Sequence, residues 1–174
     1  MLRFLRPLLR SLPVLAAIAG ATLAPAAAEA AGSTGLQLPR FVSLKASRVN
    51  VRVGPSNSHA VKWIFVRAGL PVEIVQEFET WRRIRDSAGA EGWVYHGLLS
   101  GRRTALVAPW EGAAPVTLHV APDATAATAA VLEPKVVGSI KSCDGRWCRI
   151  EGKGFAGWAE QEKLWGVYPN EVID

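Results

Sequence analysis

The sequence predicts an all-β protein, two small β-barrels in tandem after a cleaved signal peptide. Three observations carry this expectation. The first 30 residues have the charge and hydropathy order of an export signal. The rest of the chain repeats itself at a nearly constant offset. Within each copy, polar and apolar residues alternate with the period of strands, and glycine and proline punctuate them.

The leader opens with MLRFLRPLLR, where Arg3, Arg6 and Arg10 form a positive n-region. SLPVLAAIAGATLAP follows, an apolar stretch shorter than the roughly 20 residues a spanning helix needs. Ala28 and Ala30 are the small residues of an A-x-A site, which predicts cleavage after Ala30. Cleavage after Ala28 is a near alternative, and an uncleaved N-terminal anchor is the rival reading. No cysteine follows the apolar stretch, which argues against a lipid anchor. These features predict a periplasmic or secreted protein with no stable membrane insertion after cleavage. The remaining 144 residues carry 17 basic and 14 acidic side chains, a net of +3. That balance gives weak attraction to anionic surfaces and implies no nucleic acid.

VNVRVGP at 49–55 matches VTLHVAP at 116–122, EFETWRRI at 77–84 matches CDGRWCRI at 143–150, and EGWVYHGLLSG at 91–101 matches AGWAEQEKLWG at 156–166. The offsets are 67, 66 and 65 residues, so one module of about 60 residues occurs twice. The expected organisation is residues 1–30 as signal peptide, 31–39 as a disordered or extended segment, 40–103 as the first barrel, 104–170 as the second, and 171–174 as a tail. In RVNVRV, Val49, Val51 and Val53 fall on one face and Arg48, Asn50 and Arg52 on the other, as in a half-buried strand. LPVEIVQEF alternates similarly, and WRRIRD does so less cleanly before AGAEG turns the chain into WVYHG. Alanine-rich ATAATAAVL is expected to be a loop running into a strand, with a helix as the rival. Five or six short strands in so few residues suit a small barrel, which removes exposed sheet edges. Its core is marginal alone. The apolar junction TALVAPWEGAAP is not a flexible linker, so the two copies should pack as a rigid pair.

The order VNVRVGPS, VEIVQEFETWRRIR and GWV, followed in the second copy by VTLHVAPD, VVGSIKSCDGRWCRI and GFAGWA, resembles the bacterial SH3-like domain family. In the second copy Ala121 replaces Gly54 and Ala159 replaces Val94. The ends LLSGRRTALV and LWGVYP resemble the tandem exported subgroup of Gram-negative bacteria. The resemblance implies a binding or targeting module, with a cell-wall peptide or another envelope protein as partner. The second of these would make the chain a scaffold or regulatory subunit. No accompanying hydrolase domain fits in this length, and fold alone does not transfer function.

No catalytic constellation is legible, and no cofactor or metal is expected. His59, His96 and His119 lie in no recognised catalytic or metal motif, and no histidine lies near the cysteines in sequence. Cys143 and Cys148 are spaced too widely for a thioredoxin-type couple and lack the further ligands zinc needs. They align with Glu77 and Arg82, flanking a hairpin loop, where opposite residues come close enough for a disulfide. An oxidising compartment would preserve that bond. The expected counterpart in the first copy is a Glu77–Arg82 ion pair.

The tryptophans are the leading candidates for a ligand site. Trp81, Arg83 and Arg85 alternate on one face of a strand, opposite Ile84, with Trp147 and Arg149 repeating the first two. Trp93 and Tyr95 share a face of the closing strand, and Trp158 matches Trp93. Aromatic rings beside arginines suit a groove that stacks on a ligand and pairs its carboxylates. The competing role is structural, as lids over thin cores. Trp63, Trp110 and Trp165 lack aromatic counterparts and are expected at the barrel–barrel contact or on a copy-specific surface.

Overall fold

The computed structural model describes residues 33–174, so the predicted signal peptide and its cleavage site lie outside the described residues. The first repeat forms β1 (Arg40–Leu44), β2 (Val49–Arg52), β3 (Val61–Phe65), β4 (Pro71–Phe78), β5 (Trp81–Arg85), β6 (Glu91–Tyr95) and β7 (Leu99–Ser100). The second forms β8 (Thr104–Val107), β9 (Val116–His119), β10 (Thr128–Leu132), β11 (Val137–Asp144), β12 (Trp147–Gly152), β13 (Phe155–Glu160), β14 (Leu164–Trp165) and β15 (Val172–Ile173). Hydrogen bonding orders the first sheet β3-β2-β6-β5-β4-β1-β7 and the second β10-β9-β13-β12-β11-β8-β14, with β15 added beside β11. Matched strand for strand, the two orders are identical. Single 3-10 turns at His96–Leu98 and Gln161–Lys163 occupy equivalent places, and no α-helix occurs among the described residues. The alanine-rich stretch ends as the strand β10, the counterpart of β3.

Each sheet turns one face of its strands toward a core of its own, which coils it into a barrel. The first core gathers Val42, Leu44, Val49, Val51, Val72, Ile74, Ile84 and Val94 from five strands. The second uses Val107, Val116, Leu118, Ile140, Ile150, Ala159 and Leu164 in the same way. Val53 departs from the expected alternation and is 57% exposed. The cause is local: the pairing of β2 with β3 shifts register between Val51 and Arg52, and the strand ends there. A bulge of this kind re-aims the residues after it.

The two barrels pack directly. The Thr104 hydroxyl donates to the Gly69 carbonyl at 2.8 Å, and Arg67 donates to the Lys135 carbonyl at 3.1 Å. Phe41 of the first repeat meets Trp165 edge-on at 5.1 Å and Tyr168 at 4.7 Å. The Tyr168 hydroxyl donates to Glu73 at 3.0 Å. Burial and the negative charge of Glu73 push that phenol well above its ordinary pKa. Gly166 sits at a φ of 121°, and a Cβ there would stand 2.2 Å from the Thr104 carbonyl oxygen and 3.2 Å from Pro71. Trp165 is therefore a contact between barrels, as expected. Trp63 is not: it packs on the first core, edge-on to Phe65 at 6.0 Å. Its strand lies at the opposite end of the sheet path from β7, away from the partner barrel.

Candidate functional site

The β4–β5 hairpin and its counterpart β11–β12 present the shared tryptophan. Trp81 and Trp147 point away from the barrel cores, yet each is only 7% exposed. Tyr95 lies edge-on to Trp81 at 6.0 Å, and His119 lies edge-on to Trp147 at 5.6 Å. Just inside each tryptophan the hairpin is clamped. Cys143 and Cys148 are directly opposite in register, with Cα atoms 4.1 Å apart, and form a disulfide. Glu77 and Arg82 are opposite in the same way and form an ion pair at 3.2 Å. That pair is buried, with side chains 1% and 7% exposed. Glu77 also accepts from Arg40 and from the Thr34 amide and hydroxyl. Burial pushes its pKa up, but these hydrogen bonds and the Arg82 charge outweigh it and hold the carboxyl at about 2.

Beside Trp81 opens a groove of about 330 Å³ lined by Arg48, Asn50, Arg52, Asn57, Tyr95 and Leu98. Its walls come from the outer face of β2 and from the end of β6. Arg52 is anchored by a 2.6 Å hydrogen bond to the His59 carbonyl. The His59 ring packs over Gly54, where a Cβ would stand 2.5 Å from the ring, and its Nδ1 bonds the Ser56 hydroxyl at 2.8 Å. Neither Arg48 nor Arg52 has a carboxylate partner among the described residues. Two unneutralised guanidinium groups next to an aromatic floor make an anion-selective surface.

The second repeat has a groove at the equivalent place with a different lining, which does not include Trp147, the counterpart of Trp81. It holds about 610 Å³ and is bounded by Pro115, Thr117, His119, Glu160 and Lys163, with Trp110 and Glu162 added. In register, Pro115 stands for Arg48, Thr117 for Asn50, His119 for Arg52, Glu160 for Tyr95 and Lys163 for Leu98. The anchoring is retained: His119 Nδ1 donates to the Ala126 carbonyl at 2.8 Å, as Arg52 does to His59. Ala121 and Ala126 replace Gly54 and His59 together, so the Cβ that would collide in the first repeat meets no ring in the second.

The expected site residues divide accordingly. Trp81 and Tyr95 join the first groove. Arg83 and Arg85 lie on the same face of the hairpin but outside the groove lining, and both are already neutralised. Arg83 pairs with Glu91 at 2.8 Å, while Arg85 pairs with Glu91 at 2.8 Å and Glu73 at 3.1 Å. Its hydrogen bond to Glu91 is the largest influence raising the Arg85 pKa. Trp93 sits between Arg52 and Arg83, and Trp158 between His119 and Arg149, as cross-strand neighbours rather than groove walls. Arg149 contacts Glu151 at 3.6 Å. Among the groove residues that sequence reasoning missed are Arg48, Asn50, Arg52 and Glu160. Alternation had placed the first three on one outer face, but nothing local places that face beside Trp81. Among the described residues, no group of three or more His, Cys, Asp or Glu is placed to hold a metal ion. No helix there is long and apolar enough to cross a membrane.

Two coiled antiparallel barrels with one strand order, packed through β1 and β4 of the first against β8 and β14 of the second, define a tandem SH3-like protein. A family model for the bacterial SH3 domain matches residues 45–101 and again 112–166, and the chain belongs to that family. Among solved structures it is similar to NlpC2 from Trichomonas vaginalis, at 13% identity and a TM-score of 0.33, over 76% of this chain and 50% of that one. NlpC1 from the same organism matches at 15% identity and a TM-score of 0.32, over 81% and 50%. The chain thus spans half the length of each of these structures. No curated protein matches it.

Proposed function

We propose that this protein is an exported, non-enzymatic binding module of the cell envelope whose first repeat holds a carboxylate-bearing ligand, with cell-wall peptides the class that fits best. Domains of the bacterial SH3 family are typically binding modules. The Cys143–Cys148 disulfide suits an oxidising compartment. The carrying observation is the pair Arg48 and Arg52 beside Trp81 and Tyr95, cationic and without an internal counter-ion, while Arg83 and Arg85 are neutralised by their own sheet. In this reading the ligand's carboxylate meets the guanidinium groups, and an apolar portion rests on the Tyr95 ring, which is 43% exposed. Retention on purified sacculi tests it. Wild type should be retained, Arg48→Ala/Arg52→Ala should be lost, and added salt should weaken retention because the contacts are solvent-accessible charges. Equal retention of the double variant and wild type would sink the site.

A further inference from the structure

The second repeat has a groove at the equivalent place with both arginines gone and a glutamate added. Arg48 and Arg52 have become Pro115 and His119, and Tyr95 has become Glu160. The Glu160 side chain has no hydrogen bond or ion pair among the described residues, although its charge acts on nearby Lys163, whereas Glu162 is tied to Lys163 at 3.0 Å. Trp110, 45% exposed, forms a wall of this groove. On its other side lies a wider groove of about 750 Å³, which shares Trp110, Glu160 and Glu162 and adds Trp147, Gln161 and Trp165. Its lining carries one cation, Arg146, and two glutamates, of which Glu162 is already tied to Lys163.

Gln161 supplies a second and independent sign. It is 5% exposed, and its Nε2 donates to the Glu171 carbonyl at 2.9 Å, which settles the orientation of the amide. The Oε1 that remains is a buried acceptor with no partner. Orphaned buried polar atoms are uncommon in folded proteins, and one at a groove wall suits a ligand donor. An unpaired carboxylate, a half-exposed indole face and an orphaned acceptor together favour a group that is positive, rich in N–H donors and attracted to a ring.

We propose that the wider groove, bounded by Trp110, Glu160 and Gln161, is a separate ligand site, specific for a primary ammonium group carried on an apolar stem. The ammonium pairs with Glu160, the stem lies along Trp110, and Gln161 Oε1 takes one further N–H. This site does not depend on the anionic-ligand reading of the first repeat.

The test is an NMR titration of the ¹⁵N-labelled protein with Nα-acetyl-lysine N-methylamide, and with the same compound acetylated on its side-chain nitrogen. Shifts should centre on the Trp110 indole and the Gln161 side-chain amide. The uncharged probe should bind at least tenfold more weakly. Glu160→Gln should weaken the charged probe at least tenfold with a nearly unchanged melting temperature, since that side chain has no hydrogen bond or ion pair among the described residues and only an exposed-charge interaction with Lys163. Arg48→Ala/Arg52→Ala should leave this titration as it is, which separates the fate of this site from that of the first groove. Equal binding of the two probes, an unaffected Glu160→Gln variant, or shifts centred on Trp81 instead of Trp110 would each overturn the proposal.

Discussion

In the first repeat, Glu77 and Arg82 hold the end of the hairpin; in the second, Cys143 and Cys148 occupy the same two positions. The ends of the chain follow this difference. The N-terminal segment lies over the first clamp, with Thr34 donating to Glu77, while β15 at the C-terminus pairs with β11 at Cys143 itself. One geometrical problem, keeping two strands together where the tryptophan is presented, has been solved once by buried charge and once by a covalent bond. The ionic solution depends on residues far along the chain, since Glu77 must also satisfy Arg40 and Thr34. The disulfide needs only its own hairpin. Beside these clamps the grooves show the complementary lesson, because the backbone repeats while the charge does not.

The largest effect should come from Glu77→Ala. It leaves Arg82 buried without its counter-ion and is expected to cost about 3 kcal/mol, read as a lowered urea midpoint. The same residue sets an acid response. Its carboxyl titrates at about 2 in the folded protein against an ordinary 4.5. Its contribution is therefore complete above about pH 4.5 and is lost as the pH falls toward 2. Glu77→Ala should flatten that acid limb, leaving a residual slope from the other carboxylates held low, among them Glu91 through its hydrogen bond to Arg85, Glu171 beside Arg103, and Asp144 and Asp123 in their turns. An unchanged acid limb would contradict the assignment.

Cys148→Ser should be milder, at about 2 kcal/mol, because the disulfide closes a very short loop. Its loss should be independent of pH across the range in which Glu77 titrates, which separates the two clamps cleanly. Thermal melts at pH 7 and pH 3 measure both terms.

The smallest effect sharpens the comparison of the grooves. Gly54→Ala drives a Cβ into the His59 ring and should loosen the carbonyl that anchors Arg52, costing about 1 kcal/mol and part of the sacculus retention. Gly54→Ala/His59→Ala reproduces the second repeat's pair, Ala121 and Ala126, and should recover the stability. A double variant no better than the single would show that the ring clash is not the reason for the paired replacement.

Much of this architecture is legible without coordinates. The duplicated alternation located the core valines Val49 and Val51, and the hairpin spacing foretold both clamps, although the ion pair proved buried and networked. The site was less legible. Period-two patterning says which side chains share a face, not what another strand lays over that face. Trp81 thus reads as an outward residue but is covered by Tyr95, and Arg83 and Arg85 read as available but are held by Glu91 and Glu73. Val53 escaped its face through a bulge, a departure from pairing that the alternation itself cannot announce.

The sequence by itself determined two copies of one all-β module and the pairing of the cysteines, because these follow from local periodicity, turn chemistry and repetition. Only the tertiary structure decided which charges remain free to meet a ligand. Neutralisation depends on which carboxylate a neighbouring strand sets opposite each arginine: Arg85 faces Glu73 on one side and Glu91 on the other. The free charges that result are Arg48 and Arg52 in one groove and Glu160 in the other.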